Sequence, residues 1–305
     1  VRLLTGAGEV IITVLPKGLN SLSKRMSQLG ISVDKLQLFP VETNDTWVRD
    51  YGPVTVETDH GLCLLDYQFN AWGNKHPCEL DNALTSALFE LGAYPGASVQ
   101  KRTLVLEGGS IETDGNGTLL TTAQCLLNPN RNPSFDQTAI EQQLCKDLGV
   151  KKINWLQHGA LQGDDTDSHI DTLARLCPNN VIAYQACDDI TDSHYPELQL
   201  MADELQNMTS ADGSSYRLIP LPWPSAKYDQ TGQRLPATYA NFLVFNHLVI
   251  VPTYRDTKDS EALAQLAKAF PGYQVEGVDC LPVIQQHGSL HCITMQLPKG
   301  TLNAH

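Results

Sequence analysis

The strongest constraint on the fold is a rhythm of alternating elements. An apolar, strand-like run is followed by an amphipathic helical segment, and the pair recurs along the chain. "EVIITVL" precedes "GLNSLSKRMSQLG", in which Leu19, Leu22, Met26 and Leu29 fall on one side of a helix. "HGLCLLDYQFN" precedes "CELDNALTSALFELG", and "GTLLTTAQCLLN" precedes "FDQTAIEQQLCKDLG". "NVIAYQACDD" precedes "YPELQLMADELQN", and "NHLVIVPTY" precedes "TKDSEALAQLAKAFPG". Each helix stops at or near a glycine or polar residue, as C-caps require. The unit is strand, loop, helix, strand, about five times over, which predicts an internally repeated α/β architecture. No low-complexity linker divides the chain, so residues 1–305 are expected to form a single domain. A doubly wound sheet is the plain alternative, but no G-x-G-x-x-G turn follows a strand and there is no P-loop.

Composition narrows the partners. The net charge of −13 comes with no basic stretch, which argues against nucleic acid and anionic membrane surfaces. No apolar run reaches the ~20 residues of a membrane helix. The eight cysteines are scattered without a C-x-x-C pair. They fit reduced thiols in a cytoplasmic protein, most of them small core residues. The chain opens at Val1 without a methionine, so an upstream segment is expected. Its size suits a homodimer.

Five stretches are unlike filler. "NDTWVRDYGPV" (44–54) packs acids, an arginine, a tryptophan and a Gly-Pro turn together. It is either a surface turn with a local Asp–Arg pair or a loop presenting Asp50 at a strand end. "LEGGSIETDGNGTLLTT" places Glu107 after a buried strand and before two glycines. A carboxylate there needs a partner or solvent. "CLLNPNRNPS" is rich in turn residues and reads as structural. In "GDDTDSHIDTLARL", His169 and Asp171 would share one face of a strand, with Ile170 packed on the other. His-x-Asp with a distant Cys and His could hold zinc, but the set lacks a compact ligand signature, and no metal is expected. "QHGSLHCITMQL" carries Cys292 on what alternation predicts to be a strand, with His291 facing the opposite side. A lone strand cysteine is usually an inert core residue, and if Cys292 is a nucleophile, its acid–base partner must come from elsewhere.

Taken together and in order, these motifs resemble the agmatine deiminase and bacterial peptidylarginine deiminase-like family. They are Trp-x-Arg-Asp-x-Gly-Pro, Leu-Glu-Gly-Gly, Thr-x-x-Cys-Leu-Leu-Asn-Pro-Asn-Arg-Asn-Pro, His-x-Asp with Ala-Arg, and His-Cys-x-Thr. The likeness runs from about Asn44 to Pro298. It implies the pentein fold, a five-bladed α/β propeller with pseudo-fivefold repeats, and hydrolysis of a guanidinium group without a cofactor. On that resemblance Cys292 is the nucleophile, His169 the general acid and base, and Glu107 the carboxylate that orients the histidine. Asp50 and Asp171 grip the guanidinium nitrogens, with Trp47 beside them. Where family members commonly carry glycine, this chain has Ser168 before the histidine and Ser289 before the cysteine stretch. The expected substrate is a small cationic guanidine, agmatine first, with peptidyl-arginine or another alkylguanidine as the near competitor. Amidine transfer to an amine and a non-catalytic cationic-ligand binding protein are the other classes.

Overall fold

The computed structural model describes residues 1–31 and 34–302. The rhythm resolves into five βαβ crossovers. In the first, β1 (Val10–Val14) pairs parallel with β2 (Leu36–Pro40) across α1 (Leu19–Gln28). Each later unit adds a leading strand. β3 (Val54–Thr58) runs antiparallel to β4 (Gly61–Gln68), which pairs parallel with β5 (Ala97–Val105) after α2 (Leu84–Glu90). β6 (Ile111–Thr113), β7 (Thr118–Thr122), α3 (Gln137–Leu148) and β8 (Lys152–Leu156) repeat the pattern. So do β9 (Ala174–Cys177), β10 (Val181–Gln185), α4 (Tyr195–Asn207) and β11 (Arg217–Leu221). The last unit is β12 (Leu243–Phe245), β13 (Leu248–Thr253), α5 (Asp259–Ala269) and β14 (Gln274–Asp279). None of these small sheets closes on itself.

The middle strands of the later units are largely buried, because a parallel partner, an antiparallel partner and a helix cover them. In the fourth unit, Leu198, Met201 and Leu205 of α4 pack with Ile182, Leu173 and Leu156 in one apolar cluster. The α1 stripe is only partly used: Met26 is buried, whereas Leu29 stays exposed. Among the described residues, no helix is long and apolar enough to cross a membrane. All eight cysteines are free thiols, and six of them are buried.

Two local expectations are corrected. Residues 290–293 form a turn, not a strand. The alternation of "LHCITMQL" misled because Asn241 and Arg49, rather than a neighbouring strand, take up its backbone groups. His291 N–H donates to Asn241 Oδ1 (2.9 Å), and Arg49 N–H donates to the Cys292 carbonyl (3.1 Å). Likewise Ile170–Thr172 is a single 3₁₀ turn rather than strand. Ile170 is nevertheless buried, as expected.

The caps make one sequence signal testable. Asp136 accepts from Ala139 N–H at the start of α3 (2.8 Å), and Gly149 ends that helix in the left-handed region. Asp136→Ala should cost about 1 kcal/mol of stability, measured by thermal or denaturant unfolding, with function retained.

Candidate active site

All of the chemistry-bearing residues but Cys292 sit on segments that lead into the first strand of a unit. Asp50 lies on the short helix Val48–Tyr51, ahead of β3. Glu107 and Gly109 lie at the turn ahead of β6. His169 and Asp171 stand ahead of β9, Asn241 ahead of β12, and Cys292 on the turn beyond β14. The repeat thus brings to one place residues far apart in sequence.

Gly109 marks the convergence. A methyl group there would lie 2.6 Å from His169 Nδ1, 2.7 Å from Asp50 Oδ1 and 3.2 Å from Asp171 Oδ2. Glycine is needed for that close approach. Its N–H donates to Asp50 Oδ1 (3.0 Å), and Trp72 Nε1 donates to Asp50 Oδ2 (3.0 Å). His169 Nδ1 stands 3.5 Å from Asp50 Oδ1. Asp171 Oδ2 joins this group to the thiol: it lies 3.9 Å from Cys292 Sγ and 2.7 Å from His291 Nδ1. His291 and Cys292 therefore reach one carboxylate oxygen, and the expectation that they look away from each other is corrected by the turn that carries both. Asn241 Nδ2 donates to Cys292 Sγ (3.3 Å) and to the Asp171 carbonyl (3.3 Å).

The site is closely screened from solvent. Cys292 is 7 % exposed, Asp50 3 %, His169 1 %, and Asp171 and Glu107 are fully buried. Burial and the facing Asp171 push the Asp50 carboxyl well above its ordinary range. Burial raises Asp171 to about 7 against the pull of Arg175 and Arg49. Burial, then Asp171 and Asp50, push the Cys292 thiol up, and burial with Arg131 pushes His169 down. These shifts favour the thiol of Cys292 and the uncharged imidazole of His169. His169 Nε2 and Asp171 Oδ1 are buried without a hydrogen-bond partner among the described residues. Each such atom costs about 1–3 kcal/mol, so a site that keeps two of them is built to meet a ligand.

Glu107 is held differently from expectation. Both its oxygens accept from Arg131 Nε (2.9 and 3.0 Å), and Arg131 Nη1 also reaches Asp167 Oδ2 (2.5 Å). "CLLNPNRNPS" thus supplies a buried counter-charge next to the site, which its turn-rich composition concealed. Glu107, Cys125 and His169 bring one polar atom each within 4.8 Å of one another. With a guanidinium already on both Glu107 oxygens, that trio does not suit a cation. Trp47 lies in an apolar cluster with Cys292, its ring against Gly288. It is Trp72 whose indole N–H touches the acid pair. Sequence reasoning missed Asn241, Trp72 and Arg131. The one available signal was a polar residue inside the otherwise apolar "YANFLVF".

Residues 2–298 match the Porphyromonas-type peptidyl-arginine deiminase family. The chain belongs to that family. Among solved structures, a Porphyromonas gingivalis protein provisionally named an arginine deiminase is 43 % identical. It superposes with a TM-score of 0.92 over 99 % of this chain and 88 % of its own. A C. jejuni agmatine deiminase, a cysteine-to-serine variant with substrate bound, is 39 % identical. Its TM-score is 0.86 over 96 % of this chain and 83 % of its own. A Shewanella protein provisionally named an agmatine deiminase is 33 % identical over 97 % of this chain and 83 % of its own length. These neighbours have the pentein fold. The family member described here is a hydrolase acting on carbon–nitrogen bonds.

Gly109→Ala tests the convergence. The methyl would displace His169 and both acids, while the backbone there is not in the left-handed region. Turnover should fall about a hundredfold, the usual cost of a displacement near 1 Å, with near-UV circular dichroism unchanged.

Proposed function

We propose that the protein hydrolyses the guanidinium group of agmatine, giving N-carbamoylputrescine and ammonia through a covalent thiouronium on Cys292. The observation that carries this reading is the pair of buried carboxylates, Asp50 and Asp171, meeting beside a buried thiol and imidazole. A guanidinium is flat and cationic, with donors in a fixed fork, and two carboxylates grip it by charge-assisted hydrogen bonds. The grip also orients its central carbon for attack.

The steps balance as follows. His169 takes the Cys292 proton as the cation arrives, and the thiolate adds to the guanidinium carbon. His169 protonates the departing nitrogen, and the carbon–nitrogen bond breaks to release ammonia. His169 then takes a proton from water, which attacks the thiouronium carbon. Collapse breaks the carbon–sulfur bond and leaves the ureido product. Glu107, fixed by Arg131 and with one atom within 4.8 Å of one on the imidazole, serves to orient that ring. Asn241 Nδ2, 3.3 Å from Sγ, stabilises the thiolate.

On this reading the five βαβ units are the five blades of a pentein propeller, and the site lies where their leading segments meet. The closeness of the site, with no member more than 7 % exposed, favours a slender free amine such as agmatine over an arginine held in a peptide.

Incubation with agmatine should yield ammonia and N-carbamoylputrescine in equal amounts, with slower turnover of free arginine and arginyl peptides. Cys292→Ser should lose at least about a thousandfold. Ammonia from arginyl peptides but not agmatine would shift the substrate, and none from any guanidine would end the proposal.

Binding a guanidinium requires ionised carboxylates, and Asp171 takes up its proton at about pH 7. Asp50 is raised as well, so the acid limb of kcat/KM, which reports the free enzyme, is expected at or above about pH 7. The rate should fall about tenfold per pH unit below it. A limb near pH 4 would show Asp171 unperturbed.

A further inference from the structure

His291 lies directly beside Cys292 in sequence and has no part in the chemistry above. Its hydrogen bonds define its protonation state. Arg175 Nη2 stands 3.1 Å from His291 Nε2. A guanidinium has only donors, so Nε2 must carry the lone pair. The proton then resides on Nδ1, which faces Asp171 Oδ2 at 2.7 Å. A doubly protonated ring would set N–H against N–H across a buried cation. Burial, Arg175 and Arg49 all disfavour it, holding His291 well below its ordinary range. Arg175 is itself fixed: Nε donates to Glu112 Oε2 (2.8 Å), Nη1 to the Phe242 carbonyl (2.6 Å), and the guanidinium lies 4.7 Å over the Phe242 ring. The His291 backbone is pinned by Asn241.

We propose that His291 is a positioning residue: locked by Arg175 in the Nδ1–H tautomer, it donates to Asp171 Oδ2, keeps that carboxylate ionised, and aims its free Oδ1 at the substrate cation. The assignment of substrate rests on the guanidine-hydrolase reading; the tautomer and the hydrogen bond do not. The donated proton also draws charge away from the carboxylate oxygen 3.9 Å from Cys292 Sγ and so eases thiolate formation. The charged and titratable groups around Asp171 are Arg175 and Arg49 on one sign and Asp50, Glu112 and Asp164 on the other, with Cys292 and His169 beside them. His291 supplies the hydrogen bond to Oδ2 from among the neutral groups.

Three measurements test this. In ¹⁵N-labelled wild-type protein, His291 should show a protonated Nδ1 and a bare Nε2 across neutral pH. The opposite tautomer, or an imidazolium, overturns the proposal whatever the enzyme hydrolyses. His291→Leu should lower kcat/KM about 10- to 100-fold, the range for a hydrogen bond to a charged group. Its acid limb should move to higher pH, because an unassisted carboxylate holds its proton more tightly. His291→Asn, which can present an amide N–H near the Nδ1 position, should recover about tenfold over leucine and return the limb toward neutrality. An unmoved limb in His291→Leu, or an asparagine variant as impaired as leucine, overturns the proposal. Binding of acetamidinium to Cys292→Ser protein, followed against pH with and without His291→Leu, reads the same shift without turnover. If wild type proves inactive on every guanidine, the substrate reading falls while these binding curves still decide the role of His291.

Discussion

Two carboxylates brought together out of water are the constraint around which the site is arranged. Burial raises the proton affinity of both Asp50 and Asp171, and the charge of Asp171 raises that of Asp50 further. Bare anions so placed would be costly. The donors that reach them directly are neutral ones: the Trp72 indole, the Gly109 amide and the His291 ring. Arg49 and Arg175 offset the charge from farther back. Neutral donors hold the acids in place without satisfying their charge, which on the proposed reading is left for the flat cation of the substrate.

The thiol and imidazole depend on the same arrangement. In many cysteine enzymes a charged histidine beside the sulfur keeps it ionised. Here burial favours the uncharged form of both groups, and the acid pair opposes a thiolate. On the proposed reading, a cation clasped by Asp50 and Asp171 reverses that sign, so the nucleophile forms when its target is already oriented. Such a site stays unreactive toward other electrophiles while empty.

Much of this was legible in the sequence, for identifiable reasons. Element rhythm exposed the five crossovers because each helix is amphipathic and ends at a stop signal, as α3 does between Asp136 and Gly149. Cys292, His169, Glu107, Asp50 and Asp171 were assigned through the resemblance that their motifs carry in order, each stretch alone being as well read as structural, and four of the five meet about Gly109 and Asp171 Oδ2. What stayed hidden was long-range hydrogen bonding. The turn at 290–293 imitates a strand because its alternation reflects contacts with Asn241 and Arg49, neither of which is near in sequence. Arg131 looked like part of a loop until its burial against Glu107 was seen. Trp47 drew attention through its motif, yet its ring serves packing while the unremarked Trp72 donates to Asp50. Ser168, where the family favours glycine, adopts the left-handed backbone that glycine would take (φ 68°). Its N–H is held by Asp164 Oδ2 (2.8 Å) and its carbonyl by the Thr122 hydroxyl (2.8 Å), so the loop keeps the shape.

The most direct test of the central claim is the ultraviolet absorbance of the Cys292 thiolate in wild-type protein, with Cys292→Ser as the blank. It is titrated against pH with and without an inert alkylamidine. The account predicts little thiolate in the empty site at neutral pH and a marked rise when the amidine binds. A thiolate already present without ligand, or no increase on binding, would contradict it.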